Sequence, residues 1–495
     1  MQRRNINRTL ILFYIFSRQQ NKTLVSIIKL LKVTFSEFNQ EKRKKGRGTN
    51  RKKKDVEEKK EEKEEKKRSG QKRKENIKRG TKRKKTIRMK GLEVVKDLYW
   101  VGVFDKELRV FDIIMRTPYG TTYNSFLLKS EKGNVLFETC KENFAEECLE
   151  RIEDVIGKEG KIDYIVLNHT EPDHSGSLVH ILEKYPEATV IGTMAALNNI
   201  KYIGHIKENT KTLNSGKIKT LDLGNYHLKF LIQPFLHWPD TMMTVIEELK
   251  VLVSCDVFGG HYADERVFND QMMDRIKDMD DAYKHYFDCI FGPFKNYVIK
   301  GINMIETQMG FPTDELKAIC CSHGPVLRTN IKENIERYRK WAQPIILKNK
   351  VVIAYGSAYG YTQKMAEKIS EGIKSSGVDV KIFNIVQSSI DDVLKEFDDA
   401  KGLLLGTPTL VNDAIPPIMN IACSLNPTIH CNRFIQCFGS FGWSGEGVKN
   451  LSARIIQLKA HQPVEPLSIK FHPNSIELQT CFDWGKKFAD ALLNA

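Results

Sequence analysis

Short apolar runs alternate with polar turns through most of this chain. Four of the runs are residues 164–167, 228–236, 250–255 and 318–322. Each is mostly apolar and has the length of a buried strand. Apolar residues recur at helical spacing in residues 144–156, 177–185 and 331–341. Strands mixed with helices predict an α/β protein, in which helices cover the faces of the sheets.

Two further runs, residues 98–103 and 123–128, also have the pattern of strands. Gly133-Asn134 follows the second run and precedes the apolar residues 135–137. Because glycine at the first turn position favours a type II′ hairpin, we expect the chain to reverse direction there.

The last third of the chain has a different layout, in which strands run into loops of small residues. A strand at residues 351–355 leads into a Gly/Ser/Thr loop at residues 356–362, and a helix follows at residues 363–375. Such a loop before a helix suits a phosphate group, because backbone N–H groups and the helix dipole face it. The loop lacks a Gly-Lys-Ser/Thr ending, which disfavours a P-loop nucleotidase. Residues 343–350 are the predicted linker.

Two more strand-like runs, residues 402–405 and 434–438, lead into the small-residue loops 406–410 and 439–445. Open α/β sheets bind ligands at the carboxyl edge of their strands. Three such loops, with aromatic residues in the last, predict a flat ring held above the strand ends.

Metal-binding residue types are concentrated after the predicted strands of the first part. The segment His169-Thr170-Glu171-Pro172-Asp173-His174 follows one strand directly. His237, Asp256 and His323 follow the other three. Clustered carboxylates lose hydration and repel one another unless a cation compensates them, so we predict a metal centre rather than a solvated polar loop.

Four imidazoles and three carboxylates exceed what one tetrahedral zinc ion needs, and they suit two metal ions. This oxygen and nitrogen set, without a thiolate, fits iron or manganese at least as well as zinc. An aspartate that bridges two ions would hold them close enough to act on one small molecule.

The pattern H-x-E-x-D-H, followed by His, Asp and His at these separations, resembles the flavodiiron protein family (A-type flavoproteins). The resemblance implies a metallo-β-lactamase-like αββα sandwich at residues 89–342, the linker 343–350 and a flavodoxin-like doubly wound parallel sheet at residues 351–495. It implies one iron ion on His169, Glu171 and His237. The other would bind Asp173, His174 and His323, with Asp256 as the bridge.

The second part resembles flavodoxin and its FMN site. By that resemblance the phosphate is held by Ser357, Tyr359, Gly360, Tyr361 and Thr362. The isoalloxazine side of the site is formed by Thr407, Pro408, Thr409, Leu410, Ser440, Phe441, Gly442, Trp443 and Gly445.

The family implies an oxidoreductase that reduces dioxygen to water, nitric oxide to nitrous oxide, or both. It also implies a head-to-tail homodimer or dimer of dimers, and rubredoxin or another small protein as electron donor. Two alternatives stay open: a zinc metallo-hydrolase fused to a flavodoxin-like module, and an FMN electron carrier with a structural metal domain.

The charge of the chain is divided unevenly. Residues 1–88 hold 32 of the 78 Lys and Arg but only 10 of the 62 Asp and Glu, a net charge of +22. The other 407 residues hold 46 against 52, a net charge of −6. The positive net charge of the chain therefore comes from the extension. We expect no nucleic-acid or membrane partner for the folded part.

Residues 41–85 are rich in Lys, Arg and Glu and nearly free of apolar residues, so they cannot form a core. Such an extension can bind RNA or an anionic membrane, or act as a targeting segment. The apolar stretch at residues 10–16 is too short to cross a bilayer. We favour a disordered extension or a mis-assigned start, with translation beginning at Met89.

The ten cysteines form no C-x-x-C pair, so no cysteine-rich zinc or rubredoxin-type iron site is expected. Together with the absence of a credible export signal, this favours a reducing cytoplasm. Among the remaining histidines, only His261, after Gly259-Gly260, is a candidate for the metal pocket. Tyr262 and Tyr286 are weaker candidates for proton donors there.

Overall fold

The computed structural model describes residues 90–495, and the basic extension predicted at residues 1–88 lies outside the described residues. The strands of the first part are β1 (Leu92–Val95), β2 (Leu98–Trp100), β3 (Val103–Asp105), β4 (Val110–Phe111), β5 (Met115–Arg116), β6 (Thr121–Tyr123), β7 (Phe126–Leu128), β8 (Val135–Phe137), β9 (Tyr164–Val166), β10 (Thr189–Gly192), β11 (Thr212–Asn214), β12 (Thr220–Asp222), β13 (His227–Ile232), β14 (Met242–Ile246), β15 (Val251–Cys255) and β16 (Ala318–Cys321).

The helices of this part are α1 (Ala145–Ile156), α2 (Pro172–Ser175), α3 (Leu178–Lys184), α4 (Met194–Ile203), α5 (Ser215–Ile218), α6 (Ile276–Tyr286), α7 (Lys295–Gln308) and α8 (Ile331–Trp341). Short 3-10 turns lie at Glu142–Phe144, Asn269–Gln271, Met273–Arg275, Gly292–Phe294 and Thr313–Glu315, and a π-helical turn lies at Phe287–Phe291.

Two sheets form the centre of the first part. One has seven strands in the order β1-β2-β7-β8-β9-β10-β11, and the other has five in the order β12-β13-β14-β15-β16. Alternate residues of a strand face opposite sides of its sheet. Phe126 and Leu128 accordingly join the core between the sheets, whereas Leu127 joins the core under the helices. This arrangement is the αββα sandwich that was predicted.

The second part contains one parallel sheet. Its strands are β17 (Lys348–Tyr355), β18 (Asp379–Asn384), β19 (Ala400–Gly406), β22 (Phe434–Phe441) and β23 (Leu467–Lys470), and a small ribbon is formed by β20 (Thr409–Leu410) and β21 (Asp413–Ala414). The helices are α9 (Tyr361–Ser375), α10 (Ile390–Phe397), α11 (Pro416–Ser424), α12 (Pro427–His430), α13 (Glu446–Gln457) and α14 (Ser475–Leu493). The strand order β18-β17-β19-β22-β23 is the doubly wound order of flavodoxin, which confirms the predicted fold.

Several strand predictions were wrong in their extent. The run 98–103 is two strands, β2 and β3, because the chain leaves the large sheet at Gly102, where a Cβ would lie 2.5 Å from the Tyr123 carbonyl oxygen. The run 123–128 is likewise divided between β6 and β7. Strand β13 ends at Ile232, because Pro234 has no N–H to pair and Phe235 is left-handed with φ +68°.

The predicted hairpin pairing is confirmed, but its turn was wrong. Strands β7 and β8 pair antiparallel with Leu128 opposite Val135, so residues 129–134 form a longer loop. The Asp163 carboxylate holds this loop by accepting from the Asn134 N–H at 2.8 Å. Strand β17 begins at Lys348, inside the segment predicted as a linker.

Throughout residues 90–495, no helix combines the length and the apolar character needed to cross a membrane.

Helices α9 and α14 approach so closely that only glycine fits at their crossing. A Cβ on Gly485 would lie 2.3 Å from the Ile369 carbonyl oxygen, and one on Gly372 would lie 2.0 Å from that of Phe482. The crossing fixes α9, whose first residues, Tyr361 and Thr362, belong to the predicted phosphate loop.

We expect Gly485→Ala to lower the free energy of unfolding by about 1–3 kcal/mol, the usual effect of an over-packed contact. In an uncrowded helix the same change stabilises by about 1 kcal/mol, so the sign is diagnostic. Urea denaturation monitored by circular dichroism measures the effect. Thr480→Ala, on the exposed side of α14, is the control and is expected to change stability little. A stabilised Gly485→Ala variant would contradict the close crossing.

Candidate metal centre and flavin site

All seven predicted metal-binding residues lie at one end of the two central sheets. His169 and Glu171 follow β9, and Asp173 and His174 lie on the short helix α2. Asp256 follows β15 directly, and His323 comes two residues after β16. His237 does not close a strand as predicted; it lies in the loop that follows β13.

The donor atoms form two groups. Within each group, all donor atoms lie within 4.8 Å of one another. The first group is His169, Glu171, His237 and Asp256, and the second is Asp173, His174 and His323. In the first group, the Glu171 Oε2 atom is 3.0 Å from His237 Nε2 and 3.2 Å from His169 Nε2. In the second, Asp173 Oδ2 is 3.1 Å from His323 Nε2.

Asp256 lies between the two groups. Its Oδ2 atom is 3.5 Å from His237 Nε2 and 3.8 Å from His169 Nε2, on the side of the first group. Its Oδ1 atom is 3.1 Å from His174 Nε2 and 3.5 Å from His323 Nε2, on the side of the second. A carboxylate with one oxygen toward each group is placed to bridge two ions.

The donor set fits metal ions by a further criterion. Both carboxylate oxygens of Asp173 and of Asp256, and the Nε2 atom of His174, are buried without a hydrogen-bond partner. Buried polar atoms are almost always paired, and a buried carboxylate without a partner is costly. Metal ions at the two groups would satisfy these atoms.

The negative carboxylates and the positive imidazoles of the centre compensate one another. Burial alone would raise the pKa of Asp256, but the imidazoles of His174 and His237 hold it well below its usual range. Burial would lower the pKa of His237, but Asp256 and Glu171 raise it to about 10. Metal ions would take the place of these protons, since imidazole must be neutral to bind a metal.

Residues that were missed in the sequence orient the imidazoles. His169 Nδ1 donates to Asp240 Oδ1 at 3.2 Å, and Asp240 Oδ2 accepts from the Thr170 N–H at 2.8 Å. His323 Nδ1 donates to the Thr122 carbonyl oxygen at 2.7 Å. The Nε2 atom of each ring therefore faces the donor groups. Hydrogen-bond partners of metal-binding histidines commonly orient the ring in this way. The only sequence signal for Asp240 is its place three residues after His237.

His261 adjoins the centre. Its ring centroid is 5.0 Å from that of His323, and its Nδ1 atom is 2.8 Å from Thr121 Oγ1. Tyr286 packs edge-on against His261 at 4.9 Å, whereas Tyr262 packs against Tyr119 at 5.4 Å.

In the second part, a cleft of about 230 Å³ opens at the carboxyl ends of β17, β19 and β22. The predicted residues that line it are Ser357, Tyr359, Tyr361, Pro408, Thr409, Leu410, Ser440, Phe441, Gly442 and Trp443. Gly360, Thr362, Thr407 and Gly445 are not among the lining residues. Ala358, Val411, Asn412, Ser444 and Phe471 line the cleft and were missed.

The loop before α9 suits an anion. The Ser357 hydroxyl oxygen is buried without a hydrogen-bond partner. Gly360 adopts φ +80° at the start of α9, a conformation in which glycine is not strained. The hydroxyls of Thr362 and Ser440 are 2.9 Å apart and link two of the loops. The Thr407 hydroxyl already has a partner within the protein, since it accepts a hydrogen bond from the Ile415 N–H at 3.0 Å.

Comparisons with known proteins agree with this geometry. The family model described as ODP family beta lactamase matches residues 121–324, and the flavodoxin model matches residues 353–485. Flavo-diiron protein FprA2 of Clostridium acetobutylicum is 36% identical over 413 residues, which is 82% of this chain and 100% of that protein. The chain belongs to the flavodiiron protein family.

Two other family members bear on the site. The nitric oxide reductase of Moorella thermoacetica is 35% identical over 398 residues, covering 79% of this chain and 96% of that protein. The solved structure of rubredoxin oxygen:oxidoreductase from Desulfovibrio gigas matches with a TM-score of 0.62 and 28% identity, over 82% of this chain and 99% of that one. The predicted flavodiiron resemblance and fold class are confirmed.

We expect Ser357→Ala to weaken FMN binding about ten-fold or more, because a hydrogen bond to a charged phosphate contributes about 1.5–3 kcal/mol. Riboflavin, which lacks the phosphate, serves as the matched ligand and is expected to bind both proteins equally. Quenching of flavin fluorescence measures both affinities. Equal FMN affinities would remove Ser357 from the phosphate site.

Proposed function

We propose that this chain is an oxidoreductase that reduces dioxygen to water, nitric oxide to nitrous oxide, or both, at a non-haem di-iron centre supplied with electrons through FMN. The observation that carries the proposal is the pair of donor groups sharing Asp256, in a chain that also has a flavodoxin-like cleft. Relatives that are named nitric oxide reductase and rubredoxin oxygen:oxidoreductase support it.

We assign one iron ion to His169, Glu171 and His237 and the other to Asp173, His174 and His323, with Asp256 between them. When bound, the pair of ferrous ions would supply two electrons and reduced FMN two more, which together match the four that dioxygen requires. We retain residues 89–342 as the di-iron domain and residues 351–495 as the FMN domain, and the family matches fall inside these limits.

The role of the protein around this centre is to exclude water and to admit a small apolar molecule. The side chains of the donor residues are buried, His237 being the most exposed at 13%. Aromatic rings pack against the donor imidazoles. The distance between ring centroids is 5.0 Å for Trp238 and His169, 5.7 Å for Phe111 and His323, and 6.4 Å for Phe291 and His237. Dioxygen and nitric oxide lose little hydration in such surroundings, whereas ions lose much.

We further propose a head-to-tail homodimer, or a dimer of such dimers, that works in a reducing cytoplasm and takes electrons from rubredoxin or a similar small protein. Exposed apolar side chains at the rim of the FMN cleft support an interface there, with Trp443 exposed to 91% and Val411 to 98%. All ten cysteines are unpaired thiols, which fits a reducing compartment.

Anaerobic mixing of the reduced, FMN-loaded protein with each gas tests the activity. We expect rapid flavin reoxidation by dioxygen, by nitric oxide or by both, in a stopped-flow absorbance measurement, and two iron ions per chain in metal analysis. Two zinc ions without iron would favour the hydrolase alternative. Slow reoxidation by both gases in an iron-loaded protein would favour the electron carrier.

We expect Asp256→Ala to lose iron and gas reduction while it keeps FMN, because the substitution removes the only carboxylate within residues 90–495 that faces both donor groups. Iron analysis and the flavin absorbance of the purified variant separate the two effects. Asp270→Ala removes an aspartate that pairs with Arg328 at 2.7 Å instead, and serves as the control. An Asp256→Ala variant that turns over at the wild-type rate would refute the bridging role.

A further inference from the structure

The end of strand β15 brings a cysteine thiol to the metal centre, beside Asp256. The Cys255 sulfur, a ring nitrogen of His174 and a carboxylate oxygen of Asp256 all lie within 4.8 Å of one another. This is the same separation that defines the two groups of candidate iron ligands. The three residues are called here the sulfur group. The group shares His174 and Asp256 with the candidate iron ligands, but the thiol makes its chemistry different.

The backbone at the end of β15 explains how two consecutive residues contribute to one group. In a regular strand, consecutive side chains point to opposite faces. Val253 pairs with Cys320 and Cys255 pairs with Cys321, so β15 has one residue more than β16 in this stretch. Such a bulge changes the direction of the side chains that follow it. Cys255 also has φ +54°, which is uncommon for any residue except glycine.

Apolar packing does not account for Cys255. A buried cysteine usually acts as a small hydrophobic residue. Cys320 does so, because its side chain belongs to the core between the two sheets. Cys255 is fully buried, yet it belongs to neither apolar cluster that the described residues of this part form. Its unusual backbone conformation is therefore not explained by a place in the core, and such conformations are concentrated at functional sites.

The other members of the sulfur group have open positions for a cation. The Nε2 atom of His174 and both carboxylate oxygens of Asp256 are buried without a hydrogen-bond partner. The Nε2 atom lies 3.1 Å from Asp256 Oδ1. Thiolate, imidazole and carboxylate are all ligands of zinc, and thiolate favours soft cations over the hard ones that oxygen ligands prefer.

We propose that Cys255, His174 and Asp256 form a site for a thiophilic divalent cation, zinc or cadmium, that excludes the second iron ion. When the cation binds, the S–H bond of Cys255 breaks, a metal–sulfur bond forms and the proton passes to solvent, without a change of oxidation state. The cation and the second iron ion exclude each other because both need His174 and Asp256. That exclusion rests on the proposed di-iron function, whereas binding through sulfur does not.

The first experiment is an anaerobic titration of the full-length, metal-free protein with cadmium chloride. The ultraviolet charge-transfer absorption from sulfur to cadmium reports a metal–sulfur bond directly. The more accessible cysteines are replaced in every sample through Cys289→Ser, Cys423→Ser and Cys431→Ser, so that they do not contribute. We expect the absorption to appear and to reach its maximum at one cadmium ion per chain.

Variants of the buried cysteines assign this absorption. We expect Cys255→Ser and Cys255→Ala to lose it, because each removes the only sulfur of the group. Two different replacements are used so that one poorly folded variant does not decide the result. Cys320→Ala is the matched control, since it removes a buried thiol from the neighbouring strand β16, and it is expected to keep the absorption.

The second experiment measures the exclusion of iron. Iron is quantified in the iron-loaded protein before and after incubation with cadmium chloride. We expect the iron content to fall by about half when Cys255 is present and to stay unchanged in Cys255→Ser. A protein that holds no iron before cadmium is added would contradict the proposed function, and the cadmium titration would still test the sulfur group.

Three results would overturn the inference. The first is a cadmium titration in which no charge-transfer absorption appears. The second is an absorption that persists in both Cys255 variants, or that is lost equally in Cys320→Ala, since it would then not arise from the Cys255 thiol. The third is an iron content that cadmium leaves unchanged, or lowers equally with and without Cys255, which would refute the exclusion.

Discussion

The rest of this structure depends on three buried carboxylates that face one another around a common point. Glu171, Asp173 and Asp256 lie within one cluster of imidazoles, and four of their oxygens have no hydrogen-bond partner in the described chain. Such an arrangement is unfavourable unless cations occupy it. The two sheets, the loops that follow their strands and the hydrogen bonds that His169 and His323 donate to Asp240 and Thr122 all hold these groups at that separation. Metal binding is therefore coupled to the stability of the fold.

The charged centre lies in aromatic and apolar surroundings. Phe111, Trp238 and Phe291 pack against the donor imidazoles and exclude water, so charges there interact more strongly than at the surface.

The candidate donor residues could be predicted from the sequence because each stands near the end of an apolar run. The strand and helix patterns predicted an α/β protein, whereas the αββα sandwich and the doubly wound sheet were implied by the resemblance to flavodiiron proteins and flavodoxin. The failures came from long-range packing. Strand β13 ends at Ile232, before Pro234, and the chain leaves the large sheet at Gly102. The apolar pattern shows neither of these. Asp240 reaches the site from a loop and Thr122 from strand β6, and the position of both depends on tertiary contacts. In the flavin cleft, residues such as Phe471 come from a distant strand end.

Anomalous diffraction at the iron edge, from crystals of the iron-loaded protein, tests the central claim most directly. The account predicts two iron peaks, one within bonding distance of His169, Glu171 and His237 and one within bonding distance of Asp173, His174 and His323. Each peak would lie next to a different oxygen of Asp256. A single peak, or two peaks with Asp256 bonded to neither, would contradict it.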